Sequence, residues 1–387
     1  MSRDRRPNYT PAFDRAEEGV RRQFARLVEE LEAATALAVD LLAEPEAGRR
    51  ELLCQPRFQA LGLCDLLLER CREAWTEEPT RAVKLAALAV EVSTLLDAAH
   101  YSAELVEDAS ARAWAHLGNA CRIGSDLRRA EEALTIAWQH HREAGEDAYT
   151  EAEILSFEGS LRNSQGQFDE AVRLFDRALT IYREGRDRHR EGRTLLKKGM
   201  AFGYGGRLKE AIRLTRRGLA AIDAAEEPRL EVAARHNLIV YLHESGDSRQ
   251  ALRTLERSRG LYDVLGEPLH RVRLRWLEGR IDRDLGRLDE AEAALGEARA
   301  AFLDRGIAFD AALVSLDLAM VHARRGNTGE VQRLAAEMLP IFESRDVHSE
   351  TLAVLVLLRQ AVETEKVTLE VLEQLAGQLR RGQERRE

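Results

Sequence analysis

The chain of 387 residues contains few of the residues that build special structures or special chemistry. Its four cysteines include no Cys-x-x-Cys pair, and a chain of this length needs no disulfides to hold a core. We therefore expect free thiols rather than a disulfide framework or a zinc site. The longest apolar run, residues 352–358, is too short to cross a bilayer, and the first ten residues lack the apolar centre of a secretory signal. These absences predict a cytoplasmic protein with no membrane partner.

Sequence patterns of catalytic sites are also lacking. There is no Gly-x-x-x-x-Gly-Lys-Ser/Thr, no His-Glu-x-x-His and no Gly-x-Ser-x-Gly. Residues 203–206, Gly-Tyr-Gly-Gly, follow no strand and precede no Lys-Ser/Thr, so they are interpreted as a turn. His140 and His141 are adjacent on a helical segment and point to different faces, which disfavours a metal site. We expect no catalytic residue, no cofactor and no metal, and predict that the protein is not an enzyme.

What the chain does contain is helix-forming residues arranged with a long period. Ala, Leu, Glu and Arg dominate, and no segment shows a clear strand pattern. An apolar position recurs at steps of 41, 40, 40, 40 and 40 residues, at Ala130, Ala171, Ala211, Ala251, Ala291 and Val331. Five residues before each stands a turn residue: Ser125, Gly166, Gly206, Gly246, Gly286 and Gly326. A fixed period of this length indicates a stacked array of repeats.

The first repeat indicates what each unit contains. Apolar residues spaced by three and four lie on both sides of a Gly-Ser-Asp break at 124–126, which predicts two amphipathic helices joined by a tight turn. The pattern resembles the tetratricopeptide repeat (TPR) through Trp114, Leu117, Gly118, Ala130, Leu134 and Ala137. The resemblance implies an all-α fold, a right-handed α-α superhelix (TPR solenoid) of antiparallel helix pairs. Units of about 40 residues, longer than the usual 34 or so, resemble those of kinesin-light-chain-like adaptors and of bacterial TPR sensors and regulators.

The register also predicts how the chain is organised. Its 40-residue step extends to Val371 but breaks before Ala130, so the two ends are expected to differ from the middle, as the ends of an array must. The predicted segments are a flexible arm (1–11), a helical cap with one atypical repeat (12–105), six TPR-like repeats (106–345), a degenerate capping repeat (346–381) and a solvated tail (382–387).

Charge is distributed unevenly along the chain. The formal net charge is −9, yet residues 185–287 contain 23 Lys and Arg against 15 Asp and Glu. One interpretation is that solvated helix faces are rich in arginine here; the other is a basic central region that attracts an acidic partner. Nucleic acid is the less favoured partner, because the acidic flanks repel it and few aromatic residues stand among the arginines.

The resemblance also implies where a partner binds. In TPR arrays the first helix of each unit lines a concave groove, and in this chain the corresponding positions hold Asn119, Arg122, Asn163, Arg193, Tyr204, His236, His243, Arg273, Trp276, Arg280 and Arg283. Asparagine amides can bind a peptide backbone, arginine forks can bind carboxylates, and a tryptophan can anchor an apolar residue. The alternative explanation, that these residues are polar only for solubility, stays open at this stage.

The sequence is compatible with two functions. The first is a scaffold or adaptor that binds a protein or peptide, with a basic central region for an acidic segment. The second is a regulatory sensor that responds to a ligand or peptide and acts on a separate DNA-binding or effector partner, since residues 21–43 show no convincing helix-turn-helix. The oligomeric state does not follow from the sequence.

Overall fold

A computed structural model describes residues 10–75, 78–145, 147–265, 268–343, 359, 361 and 367–384. Within these residues the regular structure is helical and contains no strand, as the sequence predicted. Across the same residues, no helix combines the length and the apolar character that a membrane span needs. The chain divides into two compact units, Met1–Leu161 and Arg162–Glu387, and the division falls inside one helix.

The first unit holds the helices α1 to α7 and most of α8. Their bounds are α1 Thr10–Ala43, α2 Glu46–Leu53, α3 Leu61–Ala74, α4 Pro79–Thr94, α5 Ala98–Tyr101, α6 Ala103–Ile123, α7 Leu127–Glu143 and α8 Ala148–Ser164, with a short 3₁₀ turn at Pro56–Phe58. The main apolar core joins residues of α1 to α4 and of α6 to α8, among them the fully buried Phe58, Leu67 and Leu85. A smaller cluster contains Tyr101 of α5.

The second unit continues the same pattern of helix pairs. Its helices are α9 Phe168–Glu184, α10 Arg188–Tyr204, α11 Leu208–Leu219, α12 Pro228–Glu244, α13 Ser248–Leu265, α14 Pro268–Asp284, α15 Leu288–Asp304, α16 Ala308–Arg324, α17 Thr328–Glu343 and α18 Leu369–Glu384. Consecutive helices pack on each other, and α10 contacts α12, α12 contacts α14, and α14 contacts α16. We call α10, α12, α14 and α16 the first-helix layer, and α9, α11, α13, α15 and α17 the second-helix layer.

The recurring small residue is buried where the two helices of a pair meet. Ala130, Ala171, Ala211, Ala251 and Ala291 are 0% exposed and Val331 is 2% exposed. In the first pair, a Cβ added to Gly118 would lie 3.2 Å from the carbonyl oxygen of Ala130 and 2.7 Å from Cγ of Leu134. The two helices approach this closely because neither carries a large side chain at the contact.

The residue five positions earlier has the backbone conformation that closes each pair. The φ angles of Gly166, Gly206, Gly246, Gly286 and Gly326 lie between 73° and 87°, and Ser125 has a φ of 65°. The amide of the next residue bonds back into the end of the first helix, for example from Gln167 N to Arg162 O at 2.8 Å. This left-handed cap favours glycine because a side chain is strained there, which explains why the register places glycine in five of the six turns.

One second helix is shorter than the others. Helix α11 contains Thr215 and Gly218, which are poor helix formers, and it ends at Leu219 after 12 residues, whereas α9 and α15 have 17. The segment after it folds against the start of α10, where Arg188 Nη2 donates to Ala220 O at 2.9 Å and Asp223 N donates to Nδ1 of His189 at 2.9 Å. A Cβ on Gly192 would lie 2.7 Å from Ile222 N, so only glycine fits beneath this segment.

The ends of the chain are described in part. Helix α18 overlaps the segment 346–381 that is predicted as a capping repeat, and its Leu372, Leu375 and Leu379 join the core formed by α15, α16 and α17. Residues 346–358, 360 and 362–366 of that segment lie outside the described residues. Residues 1–9 of the predicted arm and 385–387 of the predicted tail also lie outside them.

We expect Gly192→Ala to destabilise the protein by about 1–3 kcal/mol, because the new methyl group meets the backbone of Ile222. Gly296→Ala in α15 is the matched control: a Cβ there meets nothing within 4 Å, so the change should stabilise by about 0.5–1 kcal/mol through helix propensity. Urea unfolding followed by circular dichroism measures both. Equal stabilities for the two variants would contradict the close packing at Gly192.

Candidate functional site

The predicted groove residues divide into those that the fold occupies and those that it leaves available. Asn119 on α6 belongs to the first group: it is 3% exposed, and its Oδ1 accepts from Arg122 Nε at 3.1 Å and from Nη2 at 3.0 Å. Arg193 on α10 belongs there too, because its Nη1 lies 2.9 Å from Oε1 of Glu227. These arginines already have anionic or polar partners within the chain.

Three of the predicted residues sit around a buried carboxylate that sequence reasoning missed. Asp317 on α16 is 0% exposed. Nη1 of Arg283 donates to its Oδ1 at 2.6 Å, and Nε1 of Trp276 donates to its Oδ2 at 2.7 Å. Nε of Arg280 lies 4.0 Å from the same Oδ2. The sequence signal for Asp317 was present, since it is the only charged residue within the apolar segment 311–321.

Arg283 is therefore a structural cation. It is 5% exposed, and its Nε also donates to Oδ1 of Asp284 at 2.9 Å. Burial lowers the pKa of Arg283, but the charges of Asp317 and Asp284 and the hydrogen bonds to them outweigh burial and hold it above the ordinary value. A side chain held by two carboxylates is not available to bind the carboxylate of a partner.

His243 is also occupied by the fold. It is 6% exposed, its Nδ1 lies 3.3 Å from Oγ of Ser248, and its Nε2 lies 3.6 Å from Oδ2 of Asp284. Tyr204 packs at the end of α10 with its ring centroid 6.5 Å from that of Phe168. Asn163 is half-buried, and its Oδ1 has no hydrogen-bond partner among the described residues.

The residues that the fold leaves available lie on α12 and α14. His236 on α12 is partly exposed, and Arg273 on α14 is exposed. Burial first, and then the positive charges of Arg273, His270 and Arg280, lower the pKa of His236 to about 4. The imidazole is therefore neutral at pH 7, with the positive charge of Arg273 acting on it. An anion placed beside it would interact favourably with that charge.

The described residues contain neither a metal-binding cluster nor a reactive thiol at Cys64 or Cys71. No three His, Cys, Asp or Glu side chains in them are grouped so that they could hold a metal ion. Burial raises the pKa of the Cys64 thiol to about 12 and that of Cys71 to about 11, so both are protonated at pH 7 and are poor nucleophiles.

The helix pairs, their 40-residue register and their left-handed turns give the described residues the fold of a solenoid of helix pairs similar to tetratricopeptide repeats. A family model described as "Tetratricopeptide repeat" matches residues 150–224, which run from α8 past the end of α11. The repeat identified from the sequence is thus confirmed there. No curated protein matches the chain by sequence.

Solved structures share the fold at low sequence identity. The apo form of RapI is 13% identical, with a TM-score of 0.57, and the match covers 82% of this chain and 98% of that one. The apo form of the quorum sensor NprR from B. thuringiensis is 14% identical over 91% of this chain and 100% of that one, with a TM-score of 0.53. Aspartyl phosphate phosphatase F from Bacillus subtilis is 15% identical over 88% and 81%, with a TM-score of 0.51. At such identities the likeness establishes the fold alone.

Removal of Arg283 should be costly although the residue stands at a predicted groove position. We expect Arg283→Ala to lower the free energy of unfolding by about 3–5 kcal/mol, because Asp317 would remain buried without its main partner. Arg273→Ala, at an exposed position on the same helix, should change it by less than about 0.5 kcal/mol. Thermal and urea unfolding compare the two, and similar losses of stability would refute the structural role of Arg283.

The lowered pKa of His236 predicts a pH effect on stability. The unfolded chain binds a proton at this residue near its ordinary pKa of 6.5, whereas the folded chain binds it only near 4. Stability should therefore fall as the pH falls from about 6.5 to about 4, and His236→Asn should reduce that fall. Arg273→Gln should raise the pKa of His236 because it removes one cation, whereas Arg271→Gln should not. Titration of the imidazole signal by NMR measures the pKa, and an unshifted value in Arg273→Gln would refute this account.

Proposed function

We propose that the protein binds a peptide or protein segment along the first-helix layer of its second unit, and that α12 and α14 receive a carboxylate of that segment. The observation that carries the proposal is the unpaired charge of Arg273 beside His236. Burial is the largest cause of the lowered pKa of this partly exposed imidazole, and Arg273 is the first of the neighbouring groups that lower it further. A carboxylate fits this position because it balances the charge of Arg273, which forms no ion pair with any described residue.

Arg273 has the properties of the residue that makes the contact. It is exposed, and it forms no ion pair or side-chain hydrogen bond with any described residue. Its guanidinium can donate two parallel hydrogen bonds to a carboxylate, and a neutral His236 can donate one more. By contrast, Arg193 and Arg283 are held by Glu227 and Asp317 and serve to position the helices.

Trp276 lies on the same helix and supplies an apolar surface. It is partly exposed, its indole N–H is fixed by Asp317, and its ring packs edge-on against Phe302 with 6.0 Å between the centroids. A ring held in one orientation loses little conformational entropy when it binds, so it suits an anchor for an apolar side chain. The proposed ligand therefore combines an acidic residue with an apolar one.

A regulatory sensor is the second candidate. Its support is a fold-level analogy: the fold of the chain is similar to that of the quorum sensor NprR over 91% of its length. Under this proposal the bound segment is a signal that changes the conformation of the helix array, and a separate partner protein responds to that conformational change. X-ray scattering of the protein with and without a captured peptide distinguishes the two: compaction supports the sensor, and an unchanged profile supports the scaffold.

The proposed groove is tested with an array of short peptides that vary in their acidic and apolar residues. The full chain is first applied to the array, and the affinity of each peptide that binds is then measured by fluorescence anisotropy. Arg273→Glu should weaken binding by about tenfold to a hundredfold, the effect of losing one or two hydrogen bonds to a charged group. Helical circular dichroism should not change, because Arg273 has no partner to lose.

Arg271→Glu is the matched control for this experiment. Arg271 is exposed on the same helix and the charge change is identical, but it is not one of the cations that lower the pKa of His236. It should retain most of the affinity. If both variants lose affinity equally, the effect is one of net charge and the α12–α14 site is wrong.

A further inference from the structure

We propose a second interaction surface, on the second-helix layer, that binds an acidic α-helical segment of a partner protein. The surface is formed by exposed cations of α9, α11 and α13, which we call the basic face: Arg173, Arg177, Lys209, Arg213, Arg217, Arg249, Arg253 and Arg257. It uses none of the residues assigned to the first-helix layer above.

The 40-residue register aligns these cations from helix to helix. Counted from the buried alanine of each second helix, the positions two before, two after and six after hold Lys209, Arg213 and Arg217 on α11. The same three positions hold Arg249, Arg253 and Arg257 on α13, and the last two hold Arg173 and Arg177 on α9. Positions four apart lie on one face of a helix, so each helix presents a row of cations opposite its buried side.

Two contacts show that these rows lie side by side. Nη2 of Arg216 on α11 donates to Oε1 of Gln250 on α13. On the other side, Nη1 of Arg207, just before α11, lies 3.7 Å from Oδ1 of Asp169 on α9. Successive cations within a row rise by about 6 Å along the helix. The basic face is therefore a grid made of rows of cations on neighbouring second helices.

Most of this charge is not balanced within the chain. Among the described residues, the seven cations other than Arg177 form no ion pair and no side-chain hydrogen bond. The nearby acids have other partners: Asp176 binds Lys198 of α10, and Glu210 binds Arg207. Glu256 lies between Arg253 and Arg257 as Asp176 lies between Arg173 and Arg177, and Arg213 also acts on Glu210. The eight cations outnumber these acids, so the grid keeps a positive excess toward solvent.

The next second helix marks where the grid ends. In α15 the three equivalent positions hold Asp289, Ala293 and Glu297, so the row changes sign. In α17 the single arginine of the row, Arg333, binds Glu330 and Glu337. A solvated surface that needed only charge of either sign for solubility would not require cations at all three positions of α11 and α13 and acids at two of them in α15.

The chemistry of the grid favours an acidic helix as its occupant. Carboxylates placed four residues apart on a helix also rise by about 6 Å, which matches the spacing within a row, and arginine forks bind carboxylates through paired hydrogen bonds. Single-stranded nucleic acid is disfavoured because base stacking needs exposed aromatic rings. The aromatic residues of α9, α11 and α13 are buried or half-buried: Phe168, Phe175, Tyr182 and Tyr262.

The proposal is tested with synthetic probes and the full chain. The first probe is a fluorescent alanine-based helix of about 20 residues with glutamate at every fourth position, long enough to be helical in water. The second has the same composition with the glutamates scrambled, and the third is a short duplex DNA. Anisotropy is measured at low salt and at about 0.15 M ionic strength, since exposed ion pairs weaken as salt rises.

Two variants of equal charge change decide whether the basic face is responsible. Arg213→Gln, Arg217→Gln and Arg253→Gln together should weaken binding of the aligned helix by about tenfold, the sum expected for three exposed ion pairs. The control removes three exposed cations of the first unit that form no ion pair, through Lys84→Gln, Arg129→Gln and Arg142→Gln, and should change affinity by less than about twofold. Arg273→Gln should also bind as the unmodified chain does, which keeps this test separate from that of the groove.

The aligned helix should bind more tightly than the scrambled one. Only the triple variant in the basic face should lose affinity for the aligned helix. Equal losses in both triple variants would show a general effect of net charge and overturn the proposal. If duplex DNA binds more tightly than the aligned helix, and if the triple variant in the basic face loses that binding, the face binds nucleic acid instead. Failure of the aligned helix to bind at low salt would also overturn it.

Discussion

The contact between the two helices of each pair is the constraint on which the rest of the structure depends. An alanine with no exposed surface lies at that contact in five successive second helices. On the first helices Gly118, Gly199 and Gly279 allow the same closeness from the other side, whereas α12 has Ile239 and α16 has Ala319 at the equivalent position. Because a larger side chain would separate the helices, the small residue must recur at the same place in each repeat. The left-handed glycine turn five residues earlier fixes the relative orientation of the two helices. Together they fix the register of the two helices within each pair, and their recurrence every 40 residues carries that register from one pair to the next.

A strict period has consequences for every other position. Residues 40 apart occupy equivalent places on successive helices, so any side chain repeated with that period forms a row across the array. In the second unit, rows can form on the first-helix layer and on the second-helix layer independently. This is why the positive excess of residues 185–287 divides in two. Part of it surrounds His236 on α12 and α14, and a larger part forms the rows of α11 and α13.

The fold was predictable from the sequence because its determinants are local and periodic. Turn glycines, buried alanines and apolar spacing all lie within one repeat, and the helices follow the predicted pattern from Ala103 to Glu343. The short α11 has a local cause as well, since Thr215 and Gly218 are poor helix formers. The site was less predictable. The register placed Trp276 and Arg283 among the groove residues, but whether a side chain is available depends on a partner in the next repeat. Asp317 lies 34 residues beyond Arg283 and has no counterpart in the other repeats at which a pattern could be recognised.

Whether an arginine stabilises the fold or stays available to a ligand therefore depends on whether the neighbouring repeat places an acidic side chain beside it. On the first-helix layer, Asp317 on α16 binds the cations of α14, so a charge that would attract a ligand holds two repeats together instead. Arg273 is available because no described residue of α12 or α16 places an acid beside it. On the second-helix layer, α11 and α13 hold cations at all three equivalent positions and α9 holds them at two, with Asp169 at the third. Like charges in adjacent rows repel each other rather than pair. The row is mainly positive in these three second helices and changes sign in α15, and this retention of like charges at equivalent positions is the physical argument that the surface is kept positive for a partner.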